Sequence, residues 1–326
     1  MRFPAILCLI AAAAAAAQPP ASIPSDPKAI IQALRDANGL SLQPSVPWHL
    51  QLSWDQFDSD GDNVHSGTIA EFYAGPKRYR IVFKGDSFSE TEIAVTSGLH
   101  LSTPGDWPPI PALEALEFVT TPLRRFDNEL GGVRLQNSTK QFTSATLPCI
   151  KAIPDGYIEI SSPAYCFGPG NLQLRFAAAP ALDAIIYNNL VTFQNRFIGQ
   201  QISASVGGRK VLEVRVDRLE ALSNPDESLF VPDPGQLPIS GRIKIPSSLL
   251  VVEKSGEMEI TPGQQGKATV QFTVGKDGRV ISAQAISGPP DIQKVAIRAI
   301  RQYRFRPFLI LDQPIEVEGT MEFSVN

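Results

Sequence analysis

GKATVQFTVGKDGRVISAQAIS, residues 266–287, is the stretch that decides how the end of this chain folds. Ala268, Val270, Phe272 and Val274 alternate with polar residues, so an extended segment here has one apolar side and one wet side. Val280 to Ile286 returns with the same extended character. Between them Lys276-Asp277-Gly278 makes a tight turn, because a short hairpin turn needs positive φ values that Asp and Gly tolerate. The two runs are therefore expected to be the arms of a β-hairpin.

Downstream, Pro289, Pro290 and Asp291 open a helix in which Ile292, Val295, Ala296, Ala299, Ile300 and Tyr303 recur on one face. Ile315, Val317, Met321, Phe323 and Val325 then alternate again around Gly319, which predicts a closing strand. Strand, strand, helix, strand makes a small α+β unit, placed at 239–326.

Upstream, Pro225, Pro232, Pro234, Pro238 and Gly235 mark a linker at 224–238. The 326 residues exceed one typical domain of about 100 to 200, so a second unit precedes the linker. In that unit, 46–223, Trp48, Leu50, Leu52 and Trp54 fall on one side of a strand, and Tyr79, Ile81 and Phe83 repeat the pattern. Asp58 to Asn63 is a turn between strands, Pro111 to Phe118 reads as a helix, and strands resume beyond Gly132. A curved antiparallel sheet with a helix or two against it is the expected architecture. In 18–45, Ile30, Ile31 and Leu34 predict a short helix stopped by Gly39.

Residues 1–17 read as a secretory signal: Arg2, an apolar run from Phe3, and Ala15-Ala16-Ala17 ahead of Gln18. The run is shorter than the roughly 20 residues a membrane span needs, and Leu7 before Cys8 is too bulky for a lipidation site. Export leaves Cys149 and Cys166, an even pair that an oxidising compartment would bridge, the alternative being two buried thiols. A net charge of -4 gives no basic field for nucleic acid.

No catalytic constellation stands out, so the chain is not expected to be an enzyme. His49, His65 and His100 are scattered outside any metal-ligand or nucleophile spacing. Asp58, Asp60 and Asp62 imitate a calcium loop, yet Asn63 stands where Gly is required and Ile69 where the bidentate Glu belongs. No metal or cofactor is expected. Lys294, Arg298 and Arg301 share one helix face and are candidate partner contacts, as is the last strand, whose edge would offer unpaired N–H and C=O groups.

Gly266, Val274 to Val280, Ser287-Gly288-Pro289, Ala296, Ala299 and Tyr303-Arg304-Phe305-Arg306-Pro307 lie at intervals that resemble the TonB C-terminal domain family. Pro47-Trp48-His49-Leu50, Gly67-Thr68, Tyr79-Arg80, Pro163 to Phe167 and Leu174-Arg175 are similar to the sheet domain that accompanies such C-terminal domains, itself like the half-barrel of lipoprotein carriers. The resemblance implies a periplasmic location, in solution or at the membrane surface, and a role in transmembrane transport. It implies strand pairing with an outer-membrane receptor or other envelope protein, here through Ile315, Val317, Glu318 and Met321, with Lys294, Arg298 and Arg301 beside them. It departs from the family plan in lacking a membrane-anchoring helix and in carrying a globular unit in place of a spacer. The alternative is carriage of a lipid or lipoprotein by the sheet domain, in which case Trp48, Leu50, Leu52, Trp54, Tyr79, Ile81 and Phe83 would line a cavity; core is the safer assignment, since alternating strands normally bury that face.

Overall fold

The computed structural model describes residues 23–325 apart from 42–43, 45, 104–106, 124–132, 144, 155–162, 180–181, 235, 237, 240–241, 262 and 311–312. The expected signal, 1–17, lies outside the described residues. Helix α1 (Pro27–Ala37) starts where the Asp26 carboxylate accepts the Ala29 N–H at 2.9 Å and Pro27 presets the first turn. It buries Ile30, Ile31 and Leu34. Gly39 ends it with φ +71°, and a Cβ there would lie 2.5 Å from the Thr120 carbonyl oxygen, so only glycine fits.

Two antiparallel meanders follow. The first is β1 (Trp48–Phe57), β2 (Asn63–Gly75), β3 (Arg78–Gly85), β4 (Ser89–Val95) and β5 (Gly98–Leu101). Helix α2 (Ile110–Thr120) leads to the second: β6 (Val133–Gln141), β7 (Thr146–Pro154), β8 (Ala164–Phe167), β9 (Leu174–Ala179), β10 (Leu182–Phe193), β11 (Arg196–Val206) and β12 (Arg209–Ala221). β1 pairs with β12 from Trp48 opposite Ala221 to Gln56 opposite Leu212, which fuses both into one curved, open sheet of 12 strands. Its edges are β5 and β6. The chain must travel from one edge to the other between them, and α2 makes that crossing over the inner face, touching β1, β2, β11 and β12.

On that face Trp48, Leu50, Leu52, Trp54, Ile69, Tyr73 and Phe83 form one core with Ile31 and Leu34 of α1 and Ala112, Ala115 and Phe118 of α2. Fully burying each large apolar side chain contributes about 1.5–3 kcal/mol. β4 breaks the alternation: Glu71 on β2 and Glu92 on β4 both stand opposite Ile81 and so face inward. The Asp58 carboxylate accepts the N–H groups of Asp60 and Asp62 at 2.9 and 3.0 Å, so it closes the turn expected between β1 and β2. Cys149 and Cys166 stand directly opposite across β7 and β8 and are joined by a disulfide.

The described residues of the proline-rich stretch are mostly exposed, with an aromatic anchor among them. Phe230, in a 3-10 turn at Glu227–Phe230, is buried with the Arg78 guanidinium 4.8 Å over its ring. Farther on, Ile239 donates its N–H to Leu99 at 2.7 Å on the β5 edge.

The C-terminal unit contains β13 (Ile243–Lys244), β14 (Val252–Lys254), β15 (Gly266–Val274), β16 (Val280–Ser287), α3 (Pro290–Gln302), β17 (Arg304–Phe305), β18 (Leu309–Ile310), β19 (Gln313–Pro314) and β20 (Val317–Val325). Its sheet runs β13-β20-β15-β16 and carries α3 over β15 and β16. Ala268, Val270, Phe272, Val274, Ile292, Ala296, Ala299, Ile300, Phe305 and Phe323 make a second core. The hairpin turn is tighter than its dihedrals require: Gly278 has φ +81°, and a Cβ there would sit 1.9 Å from the Phe305 carbonyl oxygen.

Candidate functional site

The last strand pairs with β15 along its whole length, Val325 opposite Gly266 through Val317 opposite Val274. Because side chains alternate, Val317 and Phe323 point into the second core and Glu318 and Glu322 point away from it. The backbone groups of Glu318 and Thr320 that face away from β15 are already used. Ile245 donates its N–H to the Glu318 carbonyl at 2.9 Å, and Ile243 donates to Glu316 at 3.3 Å. Ser247 then replaces a strand residue with its side chain, its hydroxyl accepting the Thr320 N–H at 2.9 Å and donating to the Thr320 carbonyl.

The expectation of a free edge over Ile315–Val325 is thus corrected for its first half. β13 runs parallel to β20, Ile243 opposite Val317 and Lys244 opposite Glu318, and covers it. Ile315 precedes the strand and donates its N–H to Phe308 at 3.0 Å. Val317 is wholly buried, Glu318 accepts from the Gln271 side-chain amide, and Met321 is half-buried against the core. From Glu322 onward the edge opens. By the two-residue period of the ladder, the N–H and C=O groups of Glu322 and Ser324 face outward, and among the described residues no backbone partner reaches them there.

Lys294, Arg298 and Arg301 lie on the side of α3 turned away from the sheet, all exposed, and no ion pair to them occurs among the described residues. The structure does not bring this stripe to the β20 edge. Near that edge the charge is negative instead: Glu316, Glu318 and Glu322, with Arg242 paired to Glu316 at 3.3 Å and Lys267 to Glu322 at 2.8 Å.

Sequence reasoning missed Ile243, Ile245, Ser247 and Trp107. Trp107 donates its indole N–H to the Lys244 carbonyl at 2.9 Å and meets Phe308 edge-on at 6.2 Å, so it holds β13 from behind. The signal was present in the alternation Ile243-Lys244-Ile245 ahead of Pro246, but two strand residues are too few to register as a period.

Among the described residues, the side chains that a carrier would need as cavity lining are packed as core, the safer of the two assignments that alternation allows. Trp48, Leu50, Leu52, Trp54 and Phe83 are at most 1% exposed, and Ile81 is buried. The space left between α2 and β9–β11, lined by Phe118, Leu174, Tyr187 and Leu190, is about 10 Å³, at the limit for a single water. Among the described residues no group of three His, Cys, Asp or Glu side chains is placed to hold a metal ion, and no helix is long and apolar enough to cross a membrane.

Residues 257–325 match the family model described as the Gram-negative bacterial TonB protein C-terminal. Solved structures align with the chain at low similarity. A LolA superfamily protein from Nitrosomonas europaea aligns at 10% identity and TM-score 0.41, covering 63% of this chain and 97% of that one. A putative outer membrane lipoprotein-sorting protein domain from Vibrio parahaemolyticus aligns at 11% identity and TM-score 0.40, covering 61% and 94%. MucB aligns at 10% identity and TM-score 0.31, covering 85% and 96%. No curated protein matches the sequence.

Proposed function

We propose that this protein, whose residues 257–325 are a TonB C-terminal domain, is a periplasmic adaptor that binds an extended segment of an outer-membrane receptor or other envelope protein by strand addition. It binds and does not catalyse. The observation that carries the reading is the outer side of β20, where β13 already pairs as a strand and the backbone of Glu322 and Ser324 continues the edge with no backbone partner among the described residues. Main-chain hydrogen bonds would supply affinity and the alternate side-chain sites selectivity. The 12-stranded sheet acts as a platform, held to the C-terminal unit by Trp107. Carriage of a lipid is the weaker reading, since the inner face is filled by its own side chains.

A photo-reactive side chain at Glu322 of the full chain, activated in the source cell's envelope, tests the proposal. The expected product joins the chain to an envelope protein and is missing when the same group sits at Ser59 in the β1–β2 turn. Identical products from both positions, or none from Glu322, would count against strand addition at this edge.

A further inference from the structure

We infer that the segment Ile243–Ser247 is a resident occupant of the guest-strand position, and that the true guest is a partner segment of alternating aliphatic and basic residues that replaces it on β20. This rests on the strand-addition reading and specifies its site and ligand chemistry.

The resident shows what the edge accepts. Ile245 is buried in the second core and Ile243 packs at its margin, so two aliphatic side chains at alternate positions are received. The residues between and before them are basic: Lys244 stands opposite Glu318, and Arg242 pairs with Glu316. The same side of β20 continues to Glu322, which lies beyond the resident's reach and pairs with Lys267 at 2.8 Å. Acidic side chains along a strand repel an acidic neighbour and favour a basic one.

The resident is also shorter than the edge it sits on. Pro246 lacks an N–H, and the ladder ends at Ser247, whose hydroxyl stands in for the donor and acceptor of a strand residue. A guest running from Glu316 to Ser324 would keep the bonds that Ile243 and Ile245 make and add those at Glu322 and Ser324. A full-length guest therefore makes more main-chain hydrogen bonds than the resident can, which is what lets it compete with a tethered segment. Displacing β13 also removes the acceptor of the Trp107 indole N–H, which couples occupancy of the edge to the hold between the two units.

The probe is a labelled synthetic peptide of alternating isoleucine and lysine, long enough to span Glu316 to Ser324. The control is the same peptide with alternate amide nitrogens methylated, which keeps the side chains and removes the donors. Binding is measured on the full chain, on Ile243→Pro, which removes a resident donor, and on Trp107→Phe, which keeps the ring but releases Lys244. Both variants should bind the probe about tenfold more tightly than the unaltered chain, the worth of roughly one hydrogen bond, and none should bind the methylated peptide. Trp107→Phe keeps the test decisive if the proline variant does not fold. Equal affinity across the proteins, no binding to Trp107→Phe, or equal binding of the methylated peptide would overturn the inference. The broader function would survive that result if cross-links from Glu322 still reached an envelope protein; conversely, probe exchange without any envelope cross-link would sink the function and leave the displaceable strand standing.

Discussion

Asn38 accepts the backbone N–H of Leu174 through its side-chain oxygen at 2.8 Å, joining the end of α1 to β9 across 136 residues of sequence. Its amide nitrogen donates to the carbonyls of Leu34 and Leu172 at 2.8 and 2.7 Å, and the side chain is buried. The four carbonyls from Arg35 to Gly39 other than Ala37 are met from outside by the Arg196 guanidinium. Asn38→Ala should therefore cost about 2–4 kcal/mol, since it strands buried polar groups on β9 as well as removing bonds. Urea unfolding would measure it, and a loss below about 0.5 kcal/mol, within the usual surface range, would mean that α1 is peripheral to the sheet.

Glu71 supplies a pH prediction. Burial first, and then the nearby charge of Glu92, push its carboxyl up from 4.5 to about 8, and one of its oxygens has no hydrogen-bond partner. Glu92 is raised to about 7 by desolvation and by Glu90, but it is only half-buried, so Glu71 carries the effect. A folded-state value above the unfolded one favours the fold fully below pH 4.5 and loses that contribution as pH rises to about 8. Glu71→Gln stays neutral throughout, so relative to the unaltered chain it should gain about 2–3 kcal/mol between pH 5 and pH 8. Parallel stability curves for the two proteins over that window would show that Glu71 is solvated in the fold.

These inward carboxylates also explain where the sequence was hard to read. β4 went unrecognised because Glu90 and Glu92 occupy the positions that alternation reserves for apolar residues; Glu90 is satisfied there by the N–H and hydroxyl groups of Ser102 and Thr103. The hairpin at Asp277-Gly278 was legible because its demands are local. The neighbour of β20 was not, because it depends on whether a segment some seventy residues earlier comes back to pair, as Ile243 does with Val317. The strand itself could be read from Val317, Phe323 and Val325, but not the closure of half its edge. Trp107 likewise acts only through the return of Lys244.

The disulfide between Cys149 and Cys166 closes a loop with a sequence separation of 17. Constraining the unfolded chain over such a loop contributes about 3 kcal/mol. Cys149→Ala combined with Cys166→Ala should lower stability by about that amount, with the Phe142 and Phe176 packing around the bridge loosened in consequence. Alkylation of the native protein without reductant should label neither Cys149 nor Cys166. Full labelling of both under those conditions would contradict the bridge.

The open half of β20 can be separated from its buried side by two substitutions in adjacent residues. The N–H of Ser324 faces away from β15, so Ser324→Pro deletes an edge donor while leaving the β15 ladder intact; proline is tolerated in a strand where its nitrogen faces solvent. Phe323 is 5% exposed and meets the Tyr303 ring edge-on at 6.1 Å, so Phe323→Ala should cost about 3–5 kcal/mol. Strand addition predicts that the proline variant keeps its melting temperature yet loses most of the cross-link from Glu322, whereas the alanine variant loses stability first and cross-linking only as it unfolds. Glu318→Pro is a third point on the same scale, because the outward side of Glu318 is paired to β13 rather than open. It should lower melting more than Ser324→Pro does. Equal loss of stability at 323 and 324, or an unchanged cross-link yield from the Ser324 variant, would return the end of this strand to plain framework.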